Sequence, residues 1–205
     1  MVHWRDRALV QSDVVFFNYR QSNEQLSYEE VFIWDLDKTY LDTHWQSFRG
    51  LVSTAFEKAF QKKNVPGTSS LVRALMANRG IGSDNPFPIF FITASPPFLE
   101  KKILEKLELD GIYPFGMFYK DNLKNLHPMR LWRLKQQVGY KIQALLQLRR
   151  KLAPEVRQIM WGDDSEADAI IYSLYSDICQ RRHSTEELRS LLSSLHVTGR
   201  STSSG

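Results

Sequence analysis

Four short apolar runs punctuate the chain. They are Val31-Phe32-Ile33-Trp34, Ile89-Phe90-Phe91-Ile92, Phe115-Gly116-Met117-Phe118-Tyr119 and Ile159-Met160-Trp161, the last with a possible start at Val156. Brief apolar runs bounded by turn residues read as strands buried on both faces. Between them the spacing turns helical, from Phe48 to Phe60, Leu71 to Met76, Leu99 to Leu109 and Ile142 to Leu152. Alternation of this kind predicts an α/β fold, a parallel sheet with helices on both faces. Val14 to Phe17 fits an edge strand. Ser184-Thr185-Glu186-Glu187 spells a capping box that opens a last helix through Leu195. Thr198 to Gly205 is a polar tail expected to fray. No internal repeat is visible. The expected organisation is an N-terminal extension over 1–30, a core domain over 31–178, and a C-terminal helix and tail over 179–205.

Composition narrows the class. Of 205 residues, 42% are hydrophobic and 24% charged, an ordinary balance for a packed core that excludes wholesale disorder. No stretch approaches the roughly 20 apolar residues that cross a bilayer. The first residues lack an apolar signal segment. Cys179 is the single cysteine, which excludes an internal disulfide and a multi-cysteine zinc site. The expectation is a soluble, cytoplasmic protein. The net charge of +4 is unevenly spread. Between residues 120 and 157 stand Lys120, Lys124, Arg130, Arg133, Lys135, Lys141, Arg149, Arg150, Lys151 and Arg157, opposed by Asp121 and Glu155. Such a segment is either a solvated helix face or an attractor of anions. Trp132 beside Arg130 and Arg133 leaves peripheral contact with an anionic membrane, or with nucleic acid, as partner readings.

The chemistry follows the strands. In an open parallel sheet, ligands bind beyond the carboxyl ends of the strands. The first run ends in Asp35-Leu36-Asp37-Lys38-Thr39, the second in Thr93-Ala94-Ser95-Pro96, and the fourth in Gly162-Asp163-Asp164-Ser165-Glu166-Ala167-Asp168. Asp35 and Asp37 can divide the labour of covalent phosphoryl transfer, one as nucleophile and the other handling protons; the alternative is a turn whose aspartates satisfy backbone donors. Gathering Asp35, Asp37 and Asp163 is costly unless a cation joins them, and an all-oxygen donor set favours Mg²⁺. Lys141 adds a further positive charge. Acids at 163, 164 and 168 also suit a helix N-terminus. The Thr93 hydroxyl is expected to contact a phosphoryl oxygen. Ser95 before Pro96 reads as an N-cap whose helix aims backbone N–H groups at an anion, and so joins the substrate-binding set. The five histidines show no metal spacing; His44 lies nearest the aspartate pair. No glycine-rich phosphate loop and no Ser/His/Asp or Cys/His set is legible.

These clusters resemble the haloacid dehalogenase superfamily of phosphotransferases, which carries DxDx(T/V), then Ser or Thr, then Lys at a helix start, then an acidic motif such as GDxxxxD. Gly162 to Tyr172 is similar to the GDSGEKDPEIY signature of the actin-patch type phosphatidate phosphatase catalytic domain. Ser95-Pro96, the stretch Gly111-Ile112-Tyr113-Pro114-Phe115-Gly116 and the interval from Lys141 to Asp163 add to that likeness. Asp164 stands where that family tends to have Ser, Lys38 where a second acid is frequent, and no clear fifth strand follows Asp177.

The resemblance implies a three-layer Rossmann-like sheet with a small or absent cap over 42–88. It implies a phosphatase in which Asp35 attacks phosphorus and Asp37 is the acid–base group. Thr93 and Lys141 then hold the phosphoryl group, while Asp35, the backbone carbonyl of Asp37 and Asp163 bind Mg²⁺ with Asp164 or Asp168 behind them. The substrate is a phosphorylated small molecule or a phospholipid such as phosphatidate. A nucleic-acid end phosphatase, a nucleotidase and a catalytically dead phosphate-binding module are the alternatives.

Overall fold

The computed structural model describes residues 3–20, 26, 28–41, 64–78, 87–121, 130–163 and 167–194, with backbone alone for 130–136. The strands are β1 Leu9–Gln11, β2 Val14–Asn18, β3 Glu30–Asp35, β4 Ile89–Ile92, β5 Gly116–Lys120 and β6 Arg157–Trp161. The helices are α1 Thr68–Asn78, α2 Glu100–Leu109, α3 Arg130–Arg149, α4 Asp168–Cys179 and α5 Thr185–Ser194, with short 3-10 turns at Trp4–Arg7 and Pro97–Leu99. The expected helix from Phe48 to Phe60, His44, Asp164 and the tail lie outside the described residues.

The α/β reading holds, with one correction to the sheet. Strand order is β1-β2-β5-β4-β3-β6, and β3, β4, β5 and β6 run parallel. The hairpin β1–β2 adds two antiparallel strands beside β5. Val14 to Phe17 is therefore not an edge strand. It is covered on both faces, and β1, with Leu9 and Val10 exposed, takes the edge instead. The uninterrupted apolar run of β2 carries that signal, because a buried strand needs no polar alternation.

Pleat alternation divides the core in two. Val31 and Ile33 face a cluster with Phe90, Ile92, Phe118 and the inner residues of α3 and α4; Phe32 and Trp34 face another with Phe91, Met117, Val72 of α1 and Ile103 and Leu107 of α2. Helices thus cover both faces. In α3, Val138, Ile142, Leu145 and Leu148 recur at three- and four-residue intervals and supply the apolar stripe. Register is tight where Gly116 passes Asn18: a Cβ there would come within 2.5 Å of the Phe16 ring and 2.9 Å of the Phe17 carbonyl.

Two helix boundaries correct the sequence reading. The spacing from Ile142 marks only the second half of α3, which begins at Arg130 and ends at Arg149. Nothing in Arg130 to Tyr140 breaks a helix, and Gly139 is tolerated inside it. Ser95 caps no helix: the 3-10 turn begins after Pro96 without a side-chain cap, and α2 begins only at Glu100. The capping box at Ser184 is present, Glu187 N–H donating to Ser184 Oγ at 3.2 Å and Ser184 N–H to Glu187 Oε2 at 2.8 Å. Of the stretch expected to form a cap, α1 packs Val72 into the core, so that part is wall and not lid. Among the described residues no helix is long and apolar enough to cross a membrane.

Asp110, at the end of α2, clasps the loop after β3. Its carboxylate accepts from Tyr40 Oη at 2.7 Å, Asn64 Nδ2 at 2.8 Å and Lys106 Nζ at 2.6 Å, and its carbonyl accepts from Arg73 at 3.3 Å. Partial burial works to raise this carboxyl, but the hydrogen bonds from Lys106, Tyr40 and Asn64 outweigh it and hold the group below 3.8, the ordinary value. A depressed carboxyl stabilises the fold above the unfolded value, and that contribution is lost as pH falls through the folded one. On moving from neutral pH to below 3.8, wild type is expected to lose more resistance to urea than Asp110→Asn. Equal losses would remove the clasp from the account.

Candidate active site

The carboxyl ends of β3, β4 and β6 bring the predicted residues together. Asp35 ends β3 as a fully buried side chain. Lys141 of α3 places its Nζ 2.8 Å from Asp35 Oδ1 and 2.5 Å from Asp168 Oδ1 at the start of α4. All three are buried. Lys141 is not at a helix start but in the interior of α3, eleven residues after Arg130. It reaches the site because the helix passes the ends of the strands there: Tyr140 Oη donates to the Thr93 carbonyl at 2.7 Å.

The electrostatics follow from burial. Loss of solvent pushes the Asp35 carboxyl well above its usual value; Lys141 opposes this, while Asp168 and Asp37 add to it. Burial works to lower the Lys141 ammonium, but Asp35 and Asp168 raise it, and it stays charged. Gly162 makes room for this arrangement. A Cβ at 162 would stand 2.5 Å from Asp168 Oδ2. The same Asp168 oxygen accepts from the Asp163 N–H at 3.2 Å, so Asp168 fixes the turn after β6 as well as Lys141.

Asp37 is also buried, and Thr93 meets it directly. The Thr93 hydroxyl donates to Asp37 Oδ2 at 2.7 Å, the Ala94 N–H donates to the same oxygen at 3.1 Å, and Thr93 Oγ1 accepts from the Ser95 N–H at 3.0 Å. A hydroxyl has one proton to give. In this arrangement the proton of Thr93 is given to Asp37, so Thr93 positions the second carboxylate where contact with a phosphoryl oxygen was expected. Ser95 is buried next to it through its backbone. Lys38, directly after Asp37, adopts φ of +60°, a left-handed turn that doubles the chain back. Leu41 then accepts from the Lys38 N–H at 2.7 Å.

Three neighbours escaped the sequence reading. Thr39 Oγ1 stands 3.5 Å from Asp35 Oδ2. Tyr140 holds the end of β4, and Tyr172 Oη donates to the Trp161 carbonyl at 3.0 Å, holding the end of β6. Burial, then the charges of Asp168 and Asp35, push the Tyr172 phenol upward, while Lys141 opposes them. Thr39 closes the DxDxT motif and Tyr140 adjoins Lys141, but neither neighbourhood reveals the bonding partner.

The donor set suits a hard cation. Asp35, Asp37 and Asp163 offer only oxygen, and Asp35 Oδ1, though beside Lys141, lacks hydrogen-bond geometry among the described residues. Asp163 Oδ2 is likewise buried. Among the described residues no group of three or more acidic, His or Cys side chains forms a ready-made metal cage. Mg²⁺ asks less, since it commonly takes one or two carboxylates with water and phosphate completing its shell.

The comparison with known families is decisive at this point. The family model for the phosphatidate phosphatase APP1 catalytic domain matches residues 31–185. The chain belongs to this family. The matched span starts at Val31 in β3 and runs through α4, so it contains Asp35, Asp37, Thr93, Lys141, Asp163 and Asp168; β1 and β2 lie before it. Family membership supports a phosphatase. No curated protein and no solved structure matches the chain.

Gly162→Ala tests the geometry. The added methyl is expected to displace Asp168 from Lys141 and lower phosphatase turnover about 10- to 100-fold, the usual scale for disturbing a supporting residue, with a stability loss of about 1–3 kcal/mol. Steady-state kinetics and urea melts report both. Wild-type turnover in this variant would show that Asp168 is not needed in place.

Proposed function

We propose that this chain is a Mg²⁺-dependent phosphomonoester hydrolase of the haloacid dehalogenase type, built on a three-layer Rossmann-like domain, that acts on phosphatidate or another phospholipid through an aspartyl-phosphate. The observation that carries the reading is the buried Asp35–Lys141–Asp168 chain beside an Asp37 held by Thr93 and Ala94, all within the matched family span.

Asp35 attacks phosphorus, and the bond from phosphorus to the substrate alcohol breaks. Asp37 gives its proton to the departing oxygen. It then takes a proton from water, which attacks the phosphoryl group, breaks the bond to Asp35 and releases inorganic phosphate. Thr93 and the Ala94 N–H keep Asp37 aimed through both steps. Lys141 offsets the charge that builds as an anionic phosphate meets a carboxylate, a form of electrostatic stabilisation that is often the largest catalytic effect. Asp168 positions Lys141. Asp35, Asp37 and Asp163 are the residues that would hold Mg²⁺. When bound, the ion supplies positive charge against the carboxylates and the phosphate.

Asp35→Asn is expected to reduce phosphate release by on the order of 10⁴-fold or more, as loss of a nucleophile does, with an unchanged circular dichroism spectrum. A chelator should silence wild type and added Mg²⁺ restore it. Acid quenching during turnover should trap phosphate on wild type and not on the variant. Full activity in Asp35→Asn would defeat the mechanism. Comparing phosphatidate with phosphorylated oligonucleotides as substrates decides the class.

A further inference from the structure

The peptide unit between Thr93 and Ala94 is gripped at both ends. Its carbonyl oxygen accepts from Tyr140 Oη at 2.7 Å, and its N–H donates to Asp37 Oδ2 at 3.1 Å. A trans peptide is planar and directs its oxygen and its N–H to opposite sides. Tyr140 and Asp37 therefore flank one rigid group. The same Asp37 oxygen takes the proton of the Thr93 hydroxyl at 2.7 Å, and that hydroxyl accepts from the Ser95 N–H at 3.0 Å.

The neighbouring peptides are held by main chain. The Thr93 N–H donates to the Phe118 carbonyl at 2.9 Å, and the Lys120 N–H donates to the Ser95 carbonyl at 3.3 Å. These bonds tie the segment to β5 and fix where it lies. The bond from Tyr140 fixes which way the peptide between them faces. Tyr140 is 2% exposed and Thr93 is fully buried, so without the phenol the Thr93 carbonyl would be a buried acceptor with its donor removed. Turning that peptide to satisfy its oxygen elsewhere would swing the Ala94 N–H away from Asp37. A donor on the oxygen of an amide also strengthens its N–H as a donor, because chained hydrogen bonds polarise one another.

Consecutive residues of α3 thus address the two aspartates. Lys141 meets Asp35 directly, 2.8 Å from Oδ1, and Tyr140 reaches Asp37 through the peptide. Tyr172 makes the matching bond at the end of β6, to the Trp161 carbonyl. Beyond it the Asp163 N–H donates to Asp168, which positions Lys141 and moves no proton.

We infer that Tyr140 is a positioning residue: through the Thr93–Ala94 peptide it fixes Asp37 at the angle from which that carboxyl hands its proton to the departing alcohol. The inference rests on the proposed function for the reaction served, while the relay from Tyr140 to Asp37 has a readout of its own.

The test compares Tyr140→Phe with Tyr172→Phe in the full chain with Mg²⁺. Two substrates are used: a short-chain phosphatidate, whose alkoxide must be protonated to leave, and p-nitrophenyl phosphate, whose phenolate leaves without a proton. For both, kcat/KM reports transfer of the phosphoryl group to Asp35. Tyr140→Phe is expected to lower kcat/KM for the phosphatidate about 10- to 100-fold more than for p-nitrophenyl phosphate, a share of the roughly 10²- to 10⁴-fold that a placed acid supplies. Tyr172→Phe should slow the two substrates to the same degree. Amide hydrogen exchange by NMR reads the relay without turnover. The Ala94 amide should exchange about tenfold faster in Tyr140→Phe than in wild type, the scale of one lost hydrogen bond, while the Thr93 amide keeps its protection. Equal slowing of both substrates by Tyr140→Phe, unfolding included, would overturn the inference, as would an unchanged Ala94 amide or the same leaving-group preference in Tyr172→Phe. If wild type turns over neither substrate while the Ala94 amide loosens in Tyr140→Phe, the relay stands and the proposed function falls; turnover by wild type with an unmoved amide does the reverse.

Discussion

One buried ammonium governs this structure. Asp35 and Asp168 arrive from β3 and α4, and neither carboxylate is affordable so far from water without Lys141 between them. Buried pairs of this kind add little net stability, but removing one partner costs about 3–5 kcal/mol because a charge is left stranded. The constraint is therefore one of arrangement. Three segments distant in sequence must converge within hydrogen-bond reach, and the surrounding elements are cut to let them. Gly162 leaves the space that Asp168 fills. α3 continues through the level of the site so that Lys141 can point into it.

Around that centre the strand ends are pinned by ordinary hydrogen bonds. Tyr140 holds the carbonyl at the end of β4, and Tyr172 the carbonyl at the end of β6. Both phenols are raised, burial foremost, so they stay protonated as donors. Thr93 and Ala94 give their protons to Asp37. Side chains held from several rigid elements form a more exact constellation than side chains on one loop. Asp37 sits on the left-handed turn of Lys38, and that turn is stabilised from the far side by the clasp of Asp110 on Tyr40.

The N-terminal hairpin ties the sheet to the same face. β2 completes the buried sheet beside β5, while Arg7 reaches Glu100 at 2.6 Å and Tyr19 reaches it at 3.1 Å, so the segment before the matched family span is fastened to α2 close to the site. Arg5 and Trp4 are delivered to the carboxyl end by this attachment.

Much was legible in the sequence for a physical reason. Buried parallel strands must be apolar on both faces, so Val31–Trp34 and Ile89–Ile92 announced themselves, and chemistry placed just after them had to lie at strand ends. That alone brought Asp35, Asp37, Thr93 and Asp163 into one list, and the capping box at Ser184 was equally readable because it is a local pattern. What the sequence did not hold was partnership. The start of α3 carries no cap signal, so Lys141 read as the head of a helix and not its interior. Thr93 read as a ligand contact because its tie to Asp37 crosses 56 residues of chain. The basic segment read as one patch, though folding sends its two ends to opposite edges of the sheet. The amino acids determined which residue types stand at which strand ends, since periodicity and turn chemistry are local. Only the tertiary structure decided which proton meets which carboxylate, because that depends on distances between segments that meet after folding.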